Sequence, residues 1–222
     1  MKLIIPPQPG VAPKIPDTVL TRRSDKRQQA LVQAAFDIIA ERGLEGLRTR
    51  AVAERARVNI ATLHYYFAGK EALVGGVVGY MVEQFRMFNA PPVYEGEPCV
   101  LDRLRQEFAD SQYYQEKHPK LIIVYEELFL RSQRDPSIQP MIRYLEDYWY
   151  GDVQRILIAG VHEGVFRPDL DIDIATNMIL ALLRGAVITT LMKFDFDRAF
   201  KETEIWLSNP RPHTGRQDGV GS

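Results

Sequence analysis

The amino-acid sequence predicts an all-α protein with an N-terminal three-helix helix-turn-helix domain and a C-terminal helical domain. Apolar residues recur at spacings of three and four through most of the chain, which is the period of an amphipathic helix. Alternation with period two does not extend beyond about four residues. Glycine and proline stand between the periodic segments, where they end helices.

The first helix follows a proline-rich leader, residues 1–20, which we expect to be disordered. Apolar spacing predicts this helix from about Asp25 to Glu41, and Gly43 is well suited to end it. Thr49 is a good N-cap for a short second helix. A break then precedes a third short helix, Ile60 to Tyr66.

The remaining helices are longer. Gly69-Lys70 opens a helix that we expect to end near Asn89, before Pro91-Pro92. The further predicted helices are Val100 to Lys117, Lys120 to Ser132, Ile138 to His162, Ile172 to Lys193 and Asp197 to Ser208. These boundaries predict domains at 21–70 and 71–209, followed by a flexible tail at 210–222.

The charge of the chain is distributed unevenly. The formal net charge is −1, but residues 21–70 contain ten basic and five acidic side chains, a local excess of +5. The rest of the chain therefore carries −6. A basic segment on an acidic body is typical of a protein that meets phosphate at one end, although a solvated helix face gives the same pattern.

Several functional classes are excluded or disfavoured by the sequence. Cys99 is the single cysteine, so the sequence provides neither a disulfide framework nor a zinc cluster, and we expect no metal site. No signal peptide or membrane span is recognisable, which predicts a cytoplasmic protein without membrane contact. Motifs for nucleophilic hydrolysis, phosphate loops and dinucleotide binding are missing, so we expect no catalytic residues and no cofactor.

The second and third helices have the pattern of a helix-turn-helix motif. A helix that enters the major groove must be short and must present side chains that reach base edges. Ile60, Ala61, Thr62 and Tyr65 are predicted to face outward on the third helix. Leu63 and Phe67 are predicted to point inward and hold the helix on its scaffold.

This motif resembles the DNA-binding domain of the tetracycline-repressor (TetR) family. The residues that carry the resemblance, within about 27–74, are Gly43, Thr49, Val52-Ala53, Val58, Thr62-Leu63, Tyr66-Phe67, Lys70-Glu71 and Leu73. The resemblance implies a ligand-responsive transcriptional regulator, with a repressor as the first expectation. Each subunit of a homodimer would place its third helix in the major groove of a palindromic operator. The C-terminal domain would bind a small-molecule effector and dimerise.

The resemblance also implies which residues contact double-stranded DNA. Thr49 and Arg50 match positions that contact phosphate and sometimes a base, and Lys70 matches a phosphate-contacting lysine. Thr62, His64, Tyr65 and Tyr66 match contacts of the recognition helix. The full predicted set is Arg48, Thr49, Arg50, Asn59, Ile60, Ala61, Thr62, His64, Tyr65, Tyr66 and Lys70. Arg22, Arg23, Lys26 and Arg27 resemble a flexible arm that could reach the backbone or the minor groove.

Three positions depart from the family pattern. Arg57 stands where a glycine is usual, so a left-handed backbone there would be strained. Asn59 replaces a small residue but can still cap the third helix. His64 occupies a commonly aromatic position. Tyr66 either contacts DNA or packs on the first helix, and the sequence leaves both interpretations open.

Aromatic residues are concentrated in three helices of the C-terminal domain: Tyr113, Tyr114, Tyr125, Phe129, Tyr144, Tyr148 and Trp149. They form either a bulky core or the wall of an effector cavity. As cavity residues we predict Tyr113, Tyr125, Phe129, Tyr148 and Trp149. The pair Glu126-Glu127 could bind a cationic ligand, while a solvated helix face explains at least one of them.

An apolar stripe predicts the surface that joins two subunits. It consists of Leu180, Leu183, Ala186, Val187, Thr190 and Leu191, with Gly185 and Ala186 allowing close approach. Gly75, Gly76 and Gly79 of the fourth helix either weaken that helix or permit close packing against the first.

A DNA-bound architectural factor and an enzyme are the alternative functions, and the distribution of genomic binding sites would distinguish the architectural factor from a regulator.

Overall fold

The computed structural model describes residues 26–188 and 193–209, and every regular element in those ranges is helical. The elements are α1 (Lys26–Arg42), a 3-10 turn (Leu44–Gly46), α2 (Thr49–Arg55), α3 (Ile60–Tyr66), α4 (Lys70–Met87), α5 (Val100–Lys117), α6 (Pro119–Ser132), α7 (Gln139–His162), α8 (Ile172–Ile188) and α9 (Phe196–Ser208). The predicted all-α fold is confirmed. The leader, Arg22 and Arg23 of the predicted arm, and the tail 210–222 lie outside the described residues.

Helices α1, α2 and α3 form a three-helix unit around a small apolar core. Leu31, Ile39, Val52 and Leu63 are fully buried in it, and Phe67 closes it just after α3. Since α2 and α3 have only seven residues each, burial of these side chains rather than helix propensity stabilises them. The inward positions predicted for Leu63 and Phe67 are confirmed.

Local signals around α2 and α3 agree with the sequence at all but one position. Gly43 ends α1 with φ 66°, and Arg57 adopts φ 55° in the turn between α2 and α3. Asn59 caps α3, because its side chain accepts a hydrogen bond from the Ala61 backbone N–H at 2.9 Å. The prediction of Thr49 as an N-cap is wrong by one residue. Arg48 has the extended backbone of the cap, and Thr49 is the first helical residue.

Helix α4 joins the three-helix unit to the body and packs closely on both α1 and the end of α3. A Cβ added at Gly76 would lie 3.0 Å from Val32 Cγ2 and 3.0 Å from Phe67 Cε1. Gly76 therefore permits a close helix approach, in agreement with one of the two interpretations of these glycines. The helix ends at Met87, two residues before the predicted end.

Two apolar cores stabilise the described part of the chain. The first contains α1–α4 together with Leu121, Val124, Tyr125 and Leu128 of α6 and the beginning of α7. The second lies among α5, α7, α8 and α9. Helix α6 thus contributes to the same core as the three-helix unit, while α5 and α7–α9 form the far end of the body. No helix in the described ranges has the length and apolarity needed to cross a membrane.

Helix α8 differs from its prediction in orientation. It is described to Ile188, residues 189–192 lie outside the described ranges, and Lys193 is not helical, so the predicted end near Lys193 stays a prediction. The predicted dimer stripe is wrong. Leu183, Ala186 and Val187 are buried in the second core and Leu180 packs against it, because that face of α8 points into its own subunit. Thr190 and Leu191 lie outside the described residues.

The opposite face of α8 exposes a different apolar row. Ile174, Met178, Leu182 and Ile188 are spaced four to six residues apart and are all exposed. We call these four residues the α8 stripe. Gly185, between Leu182 and Ile188, is exposed as well. A row of large apolar side chains in water on one helix face is typical of a protein-protein contact.

Candidate functional sites

The outward face of α3 presents a compact set of side chains. Tyr65 is 83% exposed and Ile60 is 42% exposed, and Ala61 and His64 are exposed beside them. Thr62 is half-buried. The length of α3, seven residues, is that of a helix that can enter the major groove without a clash from its own ends.

Tyr66 lies on the inner side of α3. It is half-buried and packs against the first core, which favours a packed side chain over a freely exposed one. Its ring meets that of Tyr65 edge-on, with 5.1 Å between the centroids. Tyr66 therefore supports the orientation of Tyr65 from behind.

The start of α2 brings basic side chains to the same end of the molecule. Arg48 and Arg50 are exposed and Thr49 is half-buried. Arg50 forms an exposed pair with Glu54 at 3.3 Å, which is weak enough in water for a phosphate to compete with it. Arg55 pairs instead with Glu41 at 2.6 Å, across from α1. Lys26 and Arg27, the described part of the predicted arm, are exposed at the start of α1.

Lys70 is the first residue of α4 and is exposed. Its ammonium donates a hydrogen bond to the Leu44 carbonyl at 2.9 Å, so the 3-10 turn holds the side chain near the N-terminus of α4. An ammonium has three N–H donors, and the others stay available to a phosphate. The positive end of the α4 dipole adds to the attraction for an anion.

Helix α6 is the main polar connection between the body and the three-helix unit. Glu127 Oε1 accepts a hydrogen bond from the Leu44 backbone N–H at 2.8 Å. Lys120 pairs with Asp37 of α1 at 2.8 Å, and Arg131 pairs with Glu45 at 3.4 Å. A side chain at Gly43 would meet the Glu127 carboxylate at 3.2 Å, so glycine there serves both the positive φ and this contact.

A cavity of about 350 Å³ lies in the body, among α4, α5, α6, α7 and α8. Six aromatic side chains line it: Phe85, Tyr114, Tyr125, Tyr144, Tyr148 and Trp149. The volume is within the range of pockets that hold small organic molecules. Helices α4 and α6 each have one face at this cavity and another against the three-helix unit.

Three of the five predicted effector-binding residues line the cavity: Tyr125, Tyr148 and Trp149. Tyr113 does not, because its ring turns toward His118, 5.4 Å away. Phe129 lies behind the wall, where it stacks on Tyr125 and carries the Arg184 guanidinium 4.6 Å above its ring. Tyr114 and Tyr144, members of the wider aromatic set, are in the wall.

Charged groups in the cavity wall are mostly acidic. Glu107, Asp110, Glu126, Glu146 and Asp152 face two arginines, Arg86 and Arg184. Burial raises the pKa of Glu107 to about 7, although the hydrogen bond from the Trp149 indole N–H at 3.0 Å opposes the shift. Burial likewise raises the pKa of Asp110, Glu126 and Asp152.

Sequence reasoning missed the acidic residues of α5 that face the cavity. Glu107, Asp110, Ser111 and Tyr114 are spaced three, one and three residues apart, which puts them on one helix face. That spacing was the available signal, but the same pattern describes a solvated face. This face of α5 becomes the wall of a cavity only because α4, α7 and α8 pack around it.

A short helix-turn-helix at one end and an aromatic cavity in a helical body define the class of DNA-binding regulators that contain their own sensor domain. Residues 31–77 match the family described as "Bacterial regulatory proteins, tetR family". The HTH-type transcriptional repressor KstR2 of Mycobacterium tuberculosis is 30% identical over 161 residues, covering 70% of this chain and 76% of the relative. The chain belongs to the tetR family and is a DNA-binding transcriptional regulator, as the sequence predicted.

Two further comparisons agree with this assignment. The HTH-type transcriptional repressor NicS of Pseudomonas putida is 23% identical over 175 residues, covering 74% of this chain and 77% of that relative. The structure of the regulator FadR from Bacillus subtilis in complex with stearoyl-CoA superposes with a TM-score of 0.59. At 22% identity, covering 81% of this chain and 97% of that one, this likeness concerns the fold.

Proposed function

We propose that this protein is an effector-responsive repressor that binds a palindromic operator as a homodimer. It acts in the cytoplasm, where the bacterial chromosome lies, and it does so without catalysis. The observation that carries the proposal is that α4 and α6 line the cavity with one face and support the three-helix unit with another. An effector in the cavity therefore touches the helices that orient α3.

Base contacts come from the exposed face of α3, with Tyr65 and Thr62 at its centre and Ile60, Ala61 and His64 beside them. Arg48, Thr49 and Arg50 at the start of α2 and Lys70 at the start of α4 contact phosphates. Phosphate contacts fix the register on the duplex, while base-edge contacts select the sequence. Tyr66 and Asn59 act mainly by holding α3 in place.

The effector site comprises the cavity aromatics, including Tyr125, Tyr148 and Trp149. Effector control requires a difference in affinity between two conformations. In the structure Glu127 and Lys120 of α6 hold the 3-10 turn and α1, and these contacts support the orientation of α3 that we assign to DNA binding. We expect the effector to favour a conformation in which α4 and α6 are displaced and the two α3 helices of the dimer no longer match the groove spacing.

The α8 stripe, with exposed Ile205 of α9, supports the homodimer. Two-fold symmetry brings the same patch of each subunit together, so one apolar surface is sufficient to form the contact. A dimer with half-sites one helical turn apart separates its recognition helices by about 34–36 Å.

Selection of bound fragments from the source genome tests this proposal. We expect a few sites near promoters, each an inverted repeat with both halves protected in a footprint. Reporter expression from such a promoter should rise when the gene for the regulator is deleted. Sites spread over the chromosome without change in transcription would contradict the proposal and favour an architectural protein.

A further inference from the structure

The cavity wall has an excess of negative charge that the described residues do not neutralise. Glu107, Asp110 and Glu126 have no lysine or arginine partner among those residues. Glu107 accepts its hydrogen bond from the Trp149 indole. Asp110 accepts from the Ala90 backbone N–H at 2.8 Å and from Gln106 at 3.0 Å. These donors are neutral, so they satisfy oxygen atoms without balancing their charge.

Glu126 is the least satisfied of the three carboxylates. Its Oε1 is buried without a hydrogen-bond partner, and the residue lines the cavity. A buried carboxylate oxygen without a donor is costly, and a partner from a bound ligand removes that cost. The neighbouring residue, Glu127, points instead to the Leu44 backbone. Of the acidic pair in α6, one member therefore faces the cavity and the other faces the three-helix unit.

The positive groups near the cavity are largely engaged by other acids. Arg184 donates through one terminal nitrogen to Glu146 at 2.6 Å and to the Tyr125 hydroxyl at 2.8 Å, while its Nε is buried without a partner among the described residues and its charge still acts on Glu126. Asp152 is paired with Arg155. Arg86 is exposed and donates a hydrogen bond to the Tyr144 hydroxyl at 3.5 Å, with no acidic partner among the described residues. In the described wall, therefore, three carboxylates lack a basic partner, whereas one arginine, Arg86, lacks an acidic partner.

We infer that the effector is an organic cation, with an apolar or aromatic body and one ammonium or amidinium group that binds against Glu126. This inference rests on the proposed role of the cavity as the effector site. Aromatic faces attract cations through their quadrupoles, and Tyr114, Tyr148 and Trp149 provide such faces around the acidic groups. A volume of about 350 Å³ admits a molecule of one or two rings.

An anionic effector is the opposite possibility. Its acidic group would have to bind Arg86, or the Nε of Arg184, whose guanidinium already binds Glu146, with Glu107, Asp110 and Glu126 still in the wall. Like charges in a low-dielectric cavity repel strongly. The charge of the wall therefore favours the cation over the anion.

A single-tryptophan protein tests the inference. The chain has two tryptophans, Trp149 in the cavity wall and Trp206 in α9, so Trp206→Phe leaves one reporter at the site. Three probes of similar shape are titrated at pH 8: phenethylammonium, whose N–H groups can donate to Glu126, its neutral isostere n-propylbenzene, and phenylpropionate. We expect the cation to change Trp149 fluorescence with an affinity about tenfold above that of the neutral isostere.

The same titration is repeated in Glu126→Gln, which keeps the shape of the side chain and removes its charge. We expect this variant to lose the preference for the cation while still binding the neutral isostere. Glu163→Gln, the same charge change at an exposed residue at the end of α7, should keep the preference. Far-UV circular dichroism verifies the helical fold of each variant.

Equal binding of cation and neutral isostere, tighter binding of phenylpropionate, or no response to any probe would overturn the inference. So would a cation preference that survives in Glu126→Gln. Operator binding, measured separately by fluorescence anisotropy of labelled DNA, distinguishes these results from failure of the proposed function. A protein that binds its operator but prefers the anion would still be an effector-responsive repressor. A protein without an operator would contradict the proposed function, whichever probe it binds.

Discussion

Tyr65 combines the greatest exposure of the large α3 side chains with a supported position, because the Tyr66 ring meets it edge-on at 5.1 Å. A supported aromatic side chain loses little conformational freedom when it contacts a base. Single residues of the DNA-binding surface fall into two kinds: those that contact base edges and select the DNA sequence, and those that contact the phosphate backbone of the DNA. Tyr65 belongs to the first kind, and Lys70, at a helix N-terminus, belongs to the second.

Replacement of Tyr65 by alanine should weaken binding to the operator by about 1–3 kcal/mol and to scrambled DNA by less. Lys70→Ala should weaken both duplexes and lower the salt dependence by about one phosphate per subunit. Salt titrations of both variants on both duplexes measure the difference. The assignment of roles fails if Tyr65→Ala weakens the two duplexes equally or Lys70→Ala affects the operator alone.

The raised pKa of Glu107 leads to a second prediction for a single residue, which concerns how the free energy of unfolding depends on pH. Its pKa is raised by burial from 4.5 to about 7, so the folded state keeps this proton over a range in which the unfolded chain has lost it. The contribution of Glu107 to stability is complete below pH 4.5 and declines as the pH rises to about 7. The loss corresponds to about 3 kcal/mol at most.

In Glu107→Gln that decline should disappear. We expect the free energy of unfolding of the variant to rise relative to the unsubstituted protein between pH 5 and pH 8, by up to about 3 kcal/mol. Urea denaturation at several pH values measures it, with Glu163→Gln as the control for a charge change in water. A constant difference at every pH would mean that Glu107 titrates normally in the folded protein.

At the scale of single elements, α6 has two functional faces, marked by the consecutive residues Glu126 and Glu127. Glu126 lies in the cavity wall, whereas Glu127 fixes the 3-10 turn after α1. Replacement of Glu127 by glutamine should weaken the bond to the Leu44 N–H by about 1 kcal/mol, because a charged acceptor becomes a neutral one. The turn should then open more often, even without effector.

Hydrogen exchange detects this opening directly. We expect faster exchange of the Leu44 amide in Glu127→Gln, by about fivefold, and an unchanged rate in Glu126→Gln. The two substitutions make the same chemical change at consecutive residues, so each controls for the other. Equal protection of Leu44 in both variants would show that α6 does not hold the turn through this carboxylate.

The sequence predicted those features well that depend on residues close together in the chain, and it predicted poorly those that depend on tertiary packing. The bounds of α5 and the Asn59 cap of α3 were predicted, because helix ends and caps depend on neighbouring residues. The orientation of α8 was not, since consecutive Leu182 and Leu183 are equally apolar and only one points into its own subunit. Likewise Tyr113 and Tyr114 are chemically identical, and the packing of α4 determines which one meets the cavity.

At the scale of the whole molecule, the α8 stripe predicts where a second copy binds. Met178 is 51% exposed within it, so Met178→Glu should leave the subunit folded but prevent two copies from meeting. Operator affinity should fall by about a hundredfold or more, because the second half-site is no longer bound by a linked subunit. Sedimentation velocity and DNA titration measure the two effects.

Met87→Glu is the matched control for that experiment. Met87 is 69% exposed at the end of α4, on a different helix from the stripe. The same substitution there should keep the dimer and its operator affinity. A monomer at micromolar concentration before any substitution, or a dimer that survives Met178→Glu, would contradict the role of the α8 stripe.

The apolar core shared by the three-helix unit and α6 has a consequence for the construction of hybrid sensors. A fragment ending near residue 70 would leave in water the faces of α1 that meet α4 and α6, including Phe36, which packs on Tyr80 of α4, and Asp37, which pairs with Lys120 of α6. A chimaera that grafts this DNA specificity onto another sensing body must therefore transplant more than the recognition motif. The donor surface of α6, from Leu121 to Leu128, has to be grafted with it, or the hybrid will bind DNA without responding to its new signal.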